Sequence, residues 1–278
     1  MRRLLLIASF ALTCLLGARA FTMNENPKKL DIQTAVCGAV REPLMFWLWH
    51  TMAGSANPRA LSNVRALEPL KFQSRDGLTL GGYKLAAENP KSYLLVAPGN
   101  AMLADQLVAD LQTFRDRGSD VYIYDYRGYG ISQGKSRLAA IVDDYGEIIA
   151  HLNSLGYAKH LLYGISMGGV ILLNAAGNTD LYSRLVVDSS PARISNLGCP
   201  QRYDPVHHLP NDGARLMVIS GGRDSVISPG QMDEMLRTAR LRGARIVQDP
   251  EFAHPYQDSS PALHRRRQYE VANFLYQE

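Results

Sequence analysis

From residue 69 onward the chain repeats one pattern: a short apolar run, a turn, then a stretch whose apolar residues recur every three or four positions. The runs are YLLVAP, VYIYDY, HLLYGIS, RLVVDSS, RLMVIS and ARIVQD, and the material between them is long enough for a crossover. Helical periodicity falls at about 103–117, 138–155, 167–177, 229–242 and 261–277. Near-continuous apolar strands must be covered on both faces, so this order predicts an α/β fold with a mostly parallel central sheet and helices on either side. Ahead of it, LKFQS and LTLGGYKLA flank a turn containing Asp76 and Gly77 and read as two further strands. Residues 69–278 are therefore read as one domain, a size at which a single core buries most of its apolar surface.

What precedes that domain has another character. MRRLLLIASFALTCLLGARA places Arg2 and Arg3 before an apolar run and ends in Ala18 and Ala20, the order of an export signal. Residues 1–20 are thus expected to be a signal peptide cleaved near Ala20, leaving an exported periplasmic or secreted chain. The run is shorter than the ~20 residues of a spanning helix. Ala11, Leu12 and Thr13 before Cys14 match a lipoprotein signal poorly. Residues 21–68 are expected to pack on the domain, since the apolar cluster in REPLMFWLWHTMAG is too short to cross a bilayer; contact with a membrane surface is the second reading of this cluster, possible but not indicated. The chain carries 30 Lys and Arg against 26 Asp and Glu, and cleavage would remove Arg2, Arg3 and Arg19, so near-neutrality excludes nucleic acid as an expected partner. The cluster HRRRQ at 264–268 reads as a solvated helix face.

Two stretches, YGISQG at 129–134 and YGISMG at 163–168, both contain Gly-x-Ser-x-Gly, and the pattern alone does not choose between Ser132 and Ser166. Context does. Ser166 ends a buried strand, and a helical pattern starts at once behind it, the setting of a strained turn that exposes a nucleophile. The helix start also supplies unpaired N–H groups and a field that favours an oxyanion. Ser132 is followed by the polar QGKSR, so its glycines suit a loop and its hydroxyl a turn hydrogen bond.

A serine needs a base, and the base a group to orient it. Asp224 lies in GGRDSVISP beyond the strand RLMVIS, and His254 in EFAHPY beyond ARIVQD, so all three side chains can meet at the carboxyl ends of parallel strands. Asp188, at the end of RLVVDS, is a second candidate acid, with a structural hydrogen bond as its other reading. His207 and His208 are placed on a loop near the pocket; they lack further ligands at suitable spacing, and neither metal nor organic cofactor is expected.

Through GISMGG, YDYRGYGISQG, GGRDSVISP and the late histidine, residues 70–277 resemble the α/β-hydrolase superfamily of serine hydrolases. The resemblance implies Ser166 as nucleophile, His254 as general base and acid, and Asp224 as the orienting carboxylate. In such relatives RGYG-x-S-x-G is a loop after a central strand. They usually carry His-Gly after the preceding strand, whereas APGNA puts Pro98 before Gly99; GNA is similar to a compact-lid subgroup of depalmitoylase-like hydrolases. The oxyanion donors it implies are the backbone N–H groups of Met167 and of Asn100 or Ala101. The insertion at about 191–213 is too short for a large cap, and the expected site is open or modestly covered.

The expected reaction is hydrolysis of a carboxylic ester or acyl thioester, on a small-molecule or acylated substrate. An aminopeptidase-like amidase on the same triad and a non-catalytic binding protein of the same fold are the alternatives. Without the leader, Cys37 and Cys199 remain, an even pair suited either to a disulfide or to two unpaired thiols.

Overall fold

Along the strand Ser92–Ala97, Tyr93, Leu95 and Ala97 belong to one layer of the core, and Leu94 and Val96 to the other. That alternation is the two-residue period of a strand buried on both faces, and it organises the whole molecule. The computed structural model describes residues 36–277. The expected signal peptide, Cys14 and the start of the N-terminal segment lie outside them.

Eight strands form one sheet: β1 (Leu67–Gln73), β2 (Thr79–Leu85), β3 (Ser92–Ala97), β4 (Ser119–Tyr124), β5 (Lys159–Ile165), β6 (Arg184–Asp188), β7 (Leu216–Gly221) and β8 (Arg245–Asp249). Their order is β1-β2-β4-β3-β5-β6-β7-β8. The β1–β2 and β2–β4 pairs are antiparallel, and every other pair is parallel. β1 begins two residues before the sequence boundary at 69, because Leu67 and Glu68 pair with Leu85 and Lys84.

Among the described residues the helices are α1 (Arg41–Ala53), the short α2 (Ala104–Leu107) and α3 (Gln112–Arg115), then α4 (Leu138–Asn153), α5 (Met167–Ala176), α6 (Pro229–Leu241) and α7 (Pro261–Leu275). Buried residues of α1, α4, α5 and α6 join one layer, and those of α2, α3 and α7 the other. The continuous helix expected over 103–117 is broken by a 3-10 stretch at Val108–Leu111. The tighter turn still keeps Leu107, Val108, Leu111 and Phe114 together in the second layer.

The segment before β7 contains the 3-10 turns Ser195–Leu197, Gln201–Tyr203 and Pro205–His208. Buried Asp204 ties it together by accepting from the N–H groups of Ile194 and Ser195, at 2.9 and 2.7 Å, and from the Ser195 hydroxyl at 2.7 Å. Cys199 in this segment is bonded to Cys37, with 4.7 Å between their Cα atoms. A bridge between residues 162 apart closes a long loop in the unfolded chain, which on a chain-entropy view contributes up to about 5 kcal/mol.

Candidate active site

Ser166 sits between β5 and α5 with φ 52° and ψ −113°, a conformation that a residue bearing a Cβ adopts only under constraint. The constraint is visible on three sides. The Ser166 N–H donates to the Asp188 carbonyl at 2.8 Å, while its own carbonyl accepts from the Ser190 hydroxyl at 2.6 Å. Helix and strand also approach so closely that a Cβ on Gly164 would lie 2.6 Å from the Cα of Gly169, and one on Gly168 would run into the Ala97 carbonyl. Met167 is the first residue of α5, so its N–H has no partner within the helix and faces the side from which β5 enters.

Asp224 and His254 arrive on the loops after β7 and β8. Both are buried, and His254 Nδ1 lies 2.9 Å from Asp224 Oδ2. Asp224 Oδ1 accepts from the N–H groups of Val226 and Ile227, each at 2.8 Å. Burial by itself would raise the Asp224 pKa; the bond to His254, its charge and those two N–H groups outweigh burial and hold it below the usual carboxylate range. An ionised carboxylate only accepts, so Nδ1 donates to it, and in the neutral imidazole Nε2 is the ring nitrogen that can accept a proton.

Asp188 has other hydrogen-bond partners. It is fully buried, and its carboxylate accepts from Arg267 Nη1 at 2.7 Å, the Tyr163 hydroxyl at 3.1 Å and the Ser189 hydroxyl at 3.2 Å. Burial raises its pKa, opposed first by Arg267 and then by the Tyr163 bond and the charge of His254. The three groups bonded to its carboxylate give it a structural role.

Arg267 is the exception to the reading of residues 264–268 as a solvated helix face, which the exposed Arg265 and Arg266 fit. It is 1 % exposed, donates to Asp258 and to the Ala253 carbonyl at 2.6 Å, and lies over the Phe252 ring. Asp258 in turn accepts from the Ala253 N–H at 2.9 Å, so the residue preceding His254 is held at both polar atoms. A signal existed in the sequence: Arg267 stands between Leu263 and Val271 at four-residue spacing, on the apolar stripe of α7.

Ser132 has the turn role. Its hydroxyl donates to the Asp125 carbonyl at 2.7 Å and accepts from the Gly81 N–H at 2.9 Å. In the loop after β3 the Ala101 N–H donates to Asn100 Oδ1 at 3.0 Å, so of the two expected loop donors the Asn100 N–H stays the candidate. His207 and His208 lie in a 3-10 turn beside Arg193 and the Arg202 carbonyl. Among the described residues no group of three or more His, Cys, Asp or Glu side chains is arranged to hold a metal.

A mostly parallel sheet with a strained serine between strand and helix, and a buried Asp–His pair on later strand ends, defines the class of nucleophile-elbow folds. The chain has the fold of the α/β-hydrolases. Residues 88–202 match the family described as "Serine aminopeptidase, S33". Polyketide transferase claH of Penicillium crustosum is 32% identical over 154 residues, which cover 51% of this chain and 50% of that protein. The chain thus matches half the length of that relative. Among solved structures, the Pyrococcus furiosus esterase Pf2001 aligns with TM-score 0.63 at 15% identity, over 80% of this chain and 95% of the esterase. XC6422 from Xanthomonas campestris, described as an α/β serine hydrolase without lid, aligns with TM-score 0.60 at 20% identity, over 77% and 97%. At these identities the structural likeness speaks for the fold.

Proposed function

We propose that the protein is a serine hydrolase that cleaves a carboxylic ester or an acyl thioester through an acyl-enzyme. The observation that carries the reading is the buried 2.9 Å contact between His254 Nδ1 and Asp224, since it selects the imidazole tautomer that a serine nucleophile needs. In the first half-reaction the Ser166 hydroxyl gives its proton to His254 Nε2 as its oxygen bonds to the substrate carbonyl carbon. The carbonyl oxygen becomes an oxyanion received by the N–H groups of Met167 and Asn100. Collapse breaks the bond to the alcohol or thiol, which leaves with the proton from His254. Water then repeats the sequence on the acyl-serine, releasing the acid and restoring the hydroxyl.

The short segment at 191–213, which carries only 3-10 turns, supports an open site suited to an acyl chain on a bulky alcohol, thiol or carrier. The esterase neighbours favour ester over amide, while the family description "Serine aminopeptidase" favours an amidase as the second reading. The Cys37–Cys199 bond supports export to an oxidising compartment after cleavage near Ala20. The test is labelling of the purified protein by a fluorophosphonate, with the modified peptide identified, followed by turnover of p-nitrophenyl esters, acyl thioesters and aminoacyl amides. Labelling at Ser166 with ester or thioester turnover is expected. Turnover confined to aminoacyl amides would select the second reading, and absence of labelling would leave a non-catalytic fold.

A further inference from the structure

The loop that follows β3 is gripped by two tyrosines from the segment DYRGYG. Tyr126 donates its hydroxyl to the Pro98 carbonyl at 2.6 Å, and Tyr129 donates to Asn100 Oδ1 at 3.2 Å. Asn100 Oδ1 also accepts the Ala101 N–H, and Ala101 has φ 55°, a left-handed conformation that costs an alanine roughly 1–2 kcal/mol. The Asn100 side chain is therefore the node that keeps this turn in a conformation it would not choose alone. Its two donors consume both lone pairs of the amide oxygen.

We infer that Tyr129 is a positioning residue for the oxyanion loop and that helix α1 holds Tyr129 in place. The inference rests on the serine-hydrolase reading of the site. Tyr129 is fully buried, with Phe46 edge-on at 6.5 Å between ring centroids, His50 at 5.4 Å and Tyr126 edge-on at 6.0 Å. Two of these three rings belong to α1. The other end of α1 reaches the same loop: Gln106 Nε2 donates to the Ala53 carbonyl at 2.8 Å, and Gln106 Oε1 accepts from the Leu103 N–H at 3.1 Å. The start of α1 is fastened as well, by Glu42 accepting from the Leu138 N–H at 2.6 Å and by the Cys37–Cys199 bond just before it. Burial raises the Tyr129 pKa, so its hydroxyl keeps its proton and stays a donor.

The consequence is that a hydroxyl that never meets substrate sets where the Asn100 N–H points. Tyr129→Phe keeps the ring and removes only the hydroxyl. With a p-nitrophenyl ester, kcat is expected to fall about tenfold, the scale of one hydrogen bond, with KM within twofold of wild type. Inhibition by an alkyl boronic acid is expected to weaken by the same factor as kcat/KM, because its tetrahedral adduct uses the oxyanion donors whereas the ground-state ester does not. The melting temperature should stay within a few degrees. Unchanged kcat and unchanged boronate affinity overturn the inference, as does a parallel loss of kcat, KM and melting temperature, which marks a packing role. If the phenylalanine chain does not fold, Phe46→Leu, which loosens the ring's seat while leaving its hydroxyl, is read by the same criteria. Wild type that fails to label with fluorophosphonate at Ser166 defeats the serine-hydrolase reading itself. Labelled wild type with an indifferent Tyr129→Phe variant defeats only the role of Tyr129.

Discussion

Residues 130–134 and 164–168 read Gly-Ile-Ser-Gln-Gly and Gly-Ile-Ser-Met-Gly, and they end up with opposite physical properties. Ser166 is a strained residue between a strand and a helix, held by bonds to its backbone. Ser132 lies in a turn, and its side chain is spent on the backbone of Asp125 and Gly81. The glycines differ in purpose too. Gly168 lets α5 approach β3, whereas Gly134, at φ 97°, supplies a turn conformation that other residues adopt at a cost. A pattern of five residues thus says little until the elements on either side are known.

Each stretch also has its own carboxylate, and the two are tuned in opposite directions. Asp224, beside His254, is held below the usual range. Asp125, which accepts from the N–H groups of Ala104 and Ile131 at 2.7 and 3.0 Å, is raised because burial outweighs those bonds. One environment keeps a charge available next to a base. The other uses a carboxylate as a clamp between a loop and the start of α2.

The largest expected difference separates the serines. Ser166→Ala should lower ester turnover on the order of a millionfold, while Ser132→Ala keeps at least half of it; reversed effects in a p-nitrophenyl ester assay would exchange their roles. Next come the carboxylates. Asp224→Asn is expected to reduce kcat by about 10,000-fold, through loss of the tautomer it selects, with little change in melting temperature. Asp125→Asn should instead be seen first in thermal unfolding, and a kcat loss equal to that of Asp224→Asn would break the distinction.

Arg267→Met gives the third effect. It leaves Asp188 and Asp258 buried without their cation, and removing one partner of such a network costs about 3–5 kcal/mol, measurable in urea. Acid titration sharpens the comparison of the carboxylates. Because the folded pKa of Asp224 is depressed, its contribution to stability is present above the unfolded value near 3.8 and is lost as pH falls through the folded value. Asp125 is raised, so its contribution grows as pH falls through its folded value and is lost as pH rises. Urea midpoints between pH ~2 and ~5 should therefore fall less steeply in Asp224→Asn than in wild type, and more steeply in Asp125→Asn. The smallest effect belongs to Ser132→Ala, a loss of about 1 kcal/mol for its turn hydrogen bonds. A loss above about 3 kcal/mol would mean that this serine anchors far more than a turn.

The order of strands and helices, the strand ends that carry Ser166, Asp224 and His254, and the contrast between the two serines were legible from residues 69–278 alone. The reason is that alternation and helical period are local, and parallel strands bring their carboxyl ends to one side whatever the loops between them do. The apolar stripe of α7 hinted at the burial of Arg267, but its partners required the tertiary structure. A run of basic residues looks solvated until the helix is rotated onto its partners, and only packing brings Asp188 and Asp258, from separate elements, to one guanidinium. The grip of Tyr126 and Tyr129 on residues 98–101 was hidden for the same reason: the acceptors of their hydroxyls lie 28 and 29 residues away. The break between α2 and α3 likewise left the apolar period intact, so periodicity could not reveal it. Sequence pattern determines which face of an element is apolar, and therefore the layers and the strand-end site. Which polar groups share a buried space is decided by contacts between distant segments, and no local period encodes those.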